Sequence, residues 1–102
     1  MTAFQAEIAD RSDGVVTVRL SVGENVQNDQ IVKDAIAAMK SLKLDGGKGI
    51  KLTGRCTLAA AVAIGHAVDH LFGFVAFFDP KLQRYVVCVS HDPSAQPGDL
   101  IP

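Results

Sequence analysis

The chain has 102 residues, 48% of them apolar and 21% charged, with a formal net charge of −1 and a pI near 6.2. That size makes a single domain spanning residues 1–102, and the composition is that of an ordinary globular protein rather than a disordered one. A surface for long nucleic acid needs a basic excess and is therefore not expected, whereas a small anion held by a few placed groups is compatible with this charge.

The longest run without a charged residue, Cys56 to Val68, is too short to cross a bilayer. Met1-Thr2-Ala3-Phe4-Gln5 lacks the basic and apolar regions of a secretory leader, so a cytoplasmic protein with no membrane contact is expected. Cys56 and Cys88 have no Cys-x-x-Cys spacing and read as small, buried apolar residues of a reducing compartment.

Phe4 to Ile8 alternates with period two, as a half-buried strand does. Asp13-Gly14 marks a turn, and Val15 to Val22 alternates again with Val16, Val18 and Leu20 on one face. The pair reads as a β-hairpin with a connection longer than two residues. From Asn28 the period becomes helical: Ile31, Ala35, Met39 and Leu42 share a stripe, Asn28 or Asp29 can cap the start, and Asp45-Gly46-Gly47 stops the helix.

Lys48 to Thr53 is a short strand, broken by Gly54-Arg55-Cys56. Thr57 can cap a second helix running to about His70, apolar nearly all round and rich in alanine. Phe72 to Phe78 and Arg84 to Ser90 read as a second hairpin across the turn from Asp79 to Gln83, and Leu100-Ile101 as a short edge segment after a loop. The order β-β-α-β-α-β-β predicts an α/β fold: a small mixed sheet with two helices, Rossmann-like, with a parallel middle pair and a right-handed crossover. A ferredoxin-like arrangement is the alternative.

In open α/β sheets, ligands collect beyond the carboxyl ends of parallel strands, next to helix N-termini. Here that place is Thr53 to Thr57. Free N–H groups and the positive end of the second helix favour an anion, Gly54 permits close approach, Thr57 adds a hydroxyl, and Arg55 can fork onto phosphate. The same residues also satisfy a plain glycine turn with a helix cap. His66 and His70 lie four apart on one helix face, with Asp69 between them. That spacing suits metal ligation or an acid–base pair, and equally suits polar groups answering a helix C-terminus. Asp79-Pro80-Lys81 reads first as a turn. In a regular hairpin His91 would lie at the far end of the strands from Asp79, so that only a second subunit could bring the two together.

Taken together, Gly54-Arg55, the helix with His66 and His70, Phe74 to Leu82 with its Asp79-Pro80-Lys81, the strand ending Ser90-His91, and Gly98 to Ile101 resemble the Csx-three family of CRISPR-associated proteins. That resemblance covers about half the chain. It implies a manganese-dependent ring nuclease that binds and cleaves cyclic tetra-adenylate, switching off type III CRISPR antiviral signalling. It also implies a homodimer, or a tetramer closed around the ligand, with catalytic groups drawn from more than one chain. Carried over residue by residue, Arg55 holds phosphate beside Gly54 and Thr57. His70 is catalytic, with Asp69 as the competing alignment and His66 beside it. Asp79 and Lys81 complete the catalytic set, and Asp79 and His91 are the metal ligands for Mn2+. Lys81 stands where the family usually has arginine, and Ala59 and Ala60 stand near the place of a bulky aromatic. These departures point to weaker cleavage, an altered ring size or a non-cleaving cyclic oligoadenylate binder or sensor; a manganese-dependent RNA 3′-end exonuclease is a further alternative, against which the absence of a basic excess argues.

Overall fold

The computed structural model describes residues 2–102. Among these residues six strands and two helices follow one another in the predicted order: β1 (Phe4–Ser12), β2 (Val15–Val22), α1 (Asn28–Ser41), β3 (Gly49–Gly54), α2 (Leu58–Val68), β4 (Phe74–Asp79), β5 (Arg84–Ser90) and β6 (Leu100–Ile101). The strands form one mixed sheet in sequential order, β1 to β6. β1 runs antiparallel to β2, β2 and β3 are parallel, β3 and β4 are parallel, and β5 and β6 continue antiparallel. No strand is inserted between chain neighbours, which excludes the interleaved ferredoxin-like arrangement.

Two successive crossovers in the same direction, of the same hand by the general rule for parallel strands, put both helices on one face of the sheet. They pack against each other there, and the core lies between them and the strands. Val16, Val18 and Leu20 of β2 meet Ile50 and Leu52 of β3, Ile31, Ala35 and Met39 of α1, and Ala60, Ile64 and Val68 of α2. Alternation in the strands and the 3.6-residue period in α1 select these side chains. Leu52 is fully buried at the centre, where truncation to alanine costs about 2–5 kcal/mol. The opposite face carries a smaller cluster of Phe74, Ala76 and Val87, covered by Ala95 and Ile101 from the C-terminal segment.

Several local expectations change. The first hairpin closes through two residues, Asp13 and Gly14, both with positive φ (53° and 79°), the signature of a type I′ turn. Alternation alone gives a shorter first strand, because a bulge between Ile8 and Asp10 breaks the pattern and the residues beyond it are exposed. Gln27, not Asn28 or Asp29, occupies the N-cap of α1 and caps nothing with its side chain, because Asn28 is used elsewhere. The same helix ends at Ser41, before Asp45, where Lys43 turns into the left-handed region (φ 49°). α2 ends at Val68, so His70 stands just beyond it. Among the described residues, no helix is long and apolar enough to cross a membrane.

Candidate functional site

The carboxyl ends of β2, β3 and β4 and the N-termini of both helices meet at one end of the sheet. Gly54 ends β3 with φ 106°, and a Cβ there would lie 2.1 Å from the carbonyl oxygen of Leu20. Close packing of β3 on β2 therefore requires this glycine, whatever binds beside it. The backbone of Arg55 continues the contact by donating to the same Leu20 carbonyl at 3.0 Å, while its side chain is exposed.

Thr57 caps α2, as its position predicts: its hydroxyl oxygen accepts from the backbone N–H of Ala60 at 3.2 Å. That hydroxyl also donates to Oδ1 of Asn28 at 2.7 Å, so its proton is already committed within the chain. Asp79, at the end of β4, turns one carboxylate oxygen onto the backbone N–H groups of Lys81 and Leu82 (2.9 and 3.1 Å), an Asx turn. Lys81 is exposed at the hairpin tip. Arg55, Asp79 and Lys81 thus share the carboxyl end.

The histidines lie at the other end. Asp69 caps the C-terminus of α2, its N–H donating to the Gly65 carbonyl at 2.9 Å. His66 and His70 flank it with ring centroids 5.8 Å apart and nearly perpendicular planes. One ligand atom from each of His66, Asp69 and His70 lies within 4.8 Å of the other two. Nε2 of His70 is 3.3 Å from Oδ1 of Asp69, yet that oxygen is buried and accepts no hydrogen bond among the described residues. His91 follows β5, its N–H donating to the Gly73 carbonyl at 2.7 Å beside the start of β4. β4 and β5 pair from Phe74–Ser90 to Asp79–Arg84, so Asp79 and His91 sit at opposite ends of the hairpin, about 20 Å apart along the strand.

Between the two ends runs an apolar cleft of about 680 Å³ along α2 and β4–β5. Leu58, Val62 and Phe77 line it, with His66 and Asp69 at its far end. Leu58 and Val62 are 89% and 76% exposed, so one side of α2 has no partner within the described residues. Cys56 and Cys88 also line this cleft. Burial pushes the half-buried Cys56 thiol above its usual value. Cys88 is exposed rather than buried, because a register shift opposite Val75 and Ala76 turns it out of the ladder. Neither this cleft nor the Asn28–Thr57 link is foreshadowed by the sequence. The bulge at Cys88 falls inside the unbroken apolar run from Val86 to Val89 and so leaves no mark on the pattern there, and a contact 29 residues away in sequence has no local signal.

A divalent cation finds different support at the two candidate ligand sets. Asp79 and His91 of one chain do not converge. His66, Asp69 and His70 do, and they combine imidazole and carboxylate donors with a buried oxygen that lacks a partner among the described residues.

Fold and site together define a small α/β domain whose charged and titratable candidates are sorted onto two ends of a mixed sheet, joined by an open apolar cleft. Residues 24–102 match the sequence model of the family described as CRISPR-associated protein (Cas_csx3), and the chain belongs to that CRISPR-associated family. The matched range begins after β2 and includes every candidate residue. Comparison with curated proteins and with solved structures gives no match.

Proposed function

We propose that this chain is a manganese-dependent ring nuclease, acting as a homodimer or tetramer that binds cyclic tetra-adenylate and opens it. Family membership supports the CRISPR context. The observation that carries the reading is the division of candidate residues: Arg55, Asp79 and Lys81 at one end of the sheet, His66, His70 and His91 at the other. One chain cannot close that gap around a phosphodiester. A second copy that brings its histidine end to the first chain's carboxyl end can, and the exposed side of α2 supplies apolar surface for such an approach.

In this reading the 2′-hydroxyl of the ligand attacks the adjacent phosphorus and the 5′-oxygen leaves, giving a 2′,3′-cyclic phosphate end. An imidazole of His70 or His66 takes the proton from the 2′-hydroxyl, and a protonated imidazole returns one to the leaving oxygen. Arg55 and Lys81 meet the charge that develops on the phosphoryl oxygens, Arg55 by a planar fork and Lys81 as a point charge. Asp79, fixed by its turn, orients a histidine or contributes to holding manganese with a partner chain's histidine. Manganese, when bound, supplies Lewis-acid stabilisation of the phosphoryl oxygens. Holding the hydroxyl in line with phosphorus is worth up to about 7–11 kcal/mol, which makes positioning the larger part of the task.

A non-cleaving binder is the second reading, favoured by one observation: the Thr57 hydroxyl and one Asp79 oxygen are committed to the chain's own backbone and side chains. Incubation with cyclic tetra-adenylate, with and without manganese, separates the two by chromatography of the products. Linear product from the wild type, lost in His70→Ala and in Asp79→Ala, supports cleavage. Intact ligand protected stoichiometrically supports the binder, and release of nucleotides from a short polyadenylate in preference to the ring would make the protein an RNA 3′-end exonuclease instead. Full cleavage by both variants overturns the assignment.

A further inference from the structure

Asp69 is placed where a carboxylate is least comfortable. It sits at the C-terminus of α2, where the helix dipole is negative and favours cations. Its Oδ1 is buried and has no hydrogen-bond partner among the described residues, a state that ordinarily costs about 1–3 kcal/mol. Nε2 of His70, 3.3 Å away, makes no hydrogen bond to it, and both penalties are relieved by a positive charge at that oxygen, either a protonated His70 drawn closer or a cation bound between the two side chains.

The neighbouring groups select what kind of charge. His66 and His70 stand three residues before and one after Asp69, and the ligand atoms of all three lie within 4.8 Å of one another. Ligands bound tetrahedrally to a common ion at about 2.0–2.2 Å sit about 3.3–3.6 Å apart. The gap is closed by side-chain rotation alone, because His66 and His70 are exposed while Asp69 is held by the helix end. Three protein donors also leave a coordination position for water. Two imidazoles with one carboxylate suit zinc, nickel or iron(II), whereas manganese stands lowest in affinity for such a site.

We infer that His66, Asp69 and His70 form a divalent-cation site of the zinc class, complete within one chain and distinct from the shared Asp79–His91 set. The site does not depend on the ring-nuclease reading, since it needs neither a second chain nor a cyclic ligand.

The test is cobalt(II) titration of the full chain, followed by its visible d–d absorption, together with zinc content after dialysis. The expected result is one ion per chain, displaced by zinc, with manganese binding far more weakly. His66→Gln and Asp69→Asn each weaken binding at least tenfold, while Asp79→Ala and His91→Ala titrate as wild type. His66 is exposed, so its variant folds, and melting curves of both variants establish this independently. Binding below one ion per three chains, binding lost in Asp79→Ala or His91→Ala but kept in His66→Gln, or a thiolate charge-transfer band pointing to Cys56 and Cys88 would each overturn the inference. Absence of cyclic tetra-adenylate cleavage leaves these readouts untouched, so the two readings fail separately.

Discussion

Thr57 donates its hydroxyl proton to Oδ1 of Asn28 across 2.7 Å, and through it the first turns of α2 and α1 are tied together. The same oxygen accepts from the Ala60 N–H, so one side chain caps one helix and fastens the other. Replacing it with alanine removes the cap and leaves the Asn28 acceptor to water. Thr57→Ala is expected to lose about 1–2 kcal/mol in denaturant unfolding, the usual range for a lost threonine cap, and Thr57→Ser to restore most of it. An unchanged midpoint for the alanine variant would show that the cap contributes nothing.

Two glycines make opposite predictions. Gly54→Ala puts a methyl group 2.1 Å from the Leu20 carbonyl at a φ of 106°, so the β2–β3 pairing must shift. The strained backbone alone costs about 1–3 kcal/mol, and the clash adds to it. Gly65 lies inside α2, and a methyl group added there would meet nothing within 4 Å. Gly65→Ala is therefore expected to raise stability by about 0.5–1 kcal/mol, read as a higher melting temperature.

A site shared between chains has a signature that no single variant gives. If His70 and Asp79 act across an interface of two-fold symmetry, His70→Ala and Asp79→Ala are each expected to fall by about 10²–10⁴-fold in cleavage. Mixed in equal amounts after subunit exchange, they should recover about a quarter of wild-type activity, because half the dimers are heterodimers and each carries one intact site. No recovery on mixing would place both residues in the same chain's site.

The zinc-class site and the proposed proton transfer compete for the same lone pairs. Zinc added at one equivalent is expected to suppress manganese-supported ring opening, and a zinc chelator to restore it. Asp69→Asn should shift the inhibitory zinc concentration upward at least tenfold, a displacement that a general loss of activity does not produce.

The two cysteines differ in environment although both line the cleft. Burial holds the Cys56 thiol above its ordinary pKa, so less of it is thiolate near neutral pH, while Cys88 is exposed. Alkylation at pH 7–8 is expected to label Cys88 first, with Cys56 following as pH rises or on unfolding. Peptide mapping after a short iodoacetamide pulse reads the order directly.

Much of the fold is legible in the chain because its strands and helices carry clean periods. Val16, Val18 and Leu20 announce one face of β2, Ile31, Ala35 and Met39 one face of α1, and both are core. The first hairpin's two-residue turn is hidden by the bulge before Asp10, and the true start of α1 by the commitment of Asn28 to a residue 29 positions away. Of the site, the His66–Asp69–His70 spacing is visible because helix geometry converts it into proximity. That Asp79 stands apart from His66 and His70 follows only from the relation of β4 to α2, which run in opposite directions across the domain. The cleft lining is illegible for the same reason, since Leu58, Cys88 and Phe77 come from three elements.

The sequential order of the strands has a kinetic consequence. Each strand pairs with the strand made just before it, across a short turn in the hairpins and across one helix in the two parallel pairs, so pairing never waits for a strand still to be made. As residues leave the ribosome, β1 and β2 can zip first, α1 brings β3 alongside, α2 brings β4, and the last hairpin closes the far edge. Because β3 pairs directly on β2, the first hairpin is the edge on which the rest of the sheet is built. Deleting that hairpin would then be felt first as slow, aggregation-prone folding of everything that follows it.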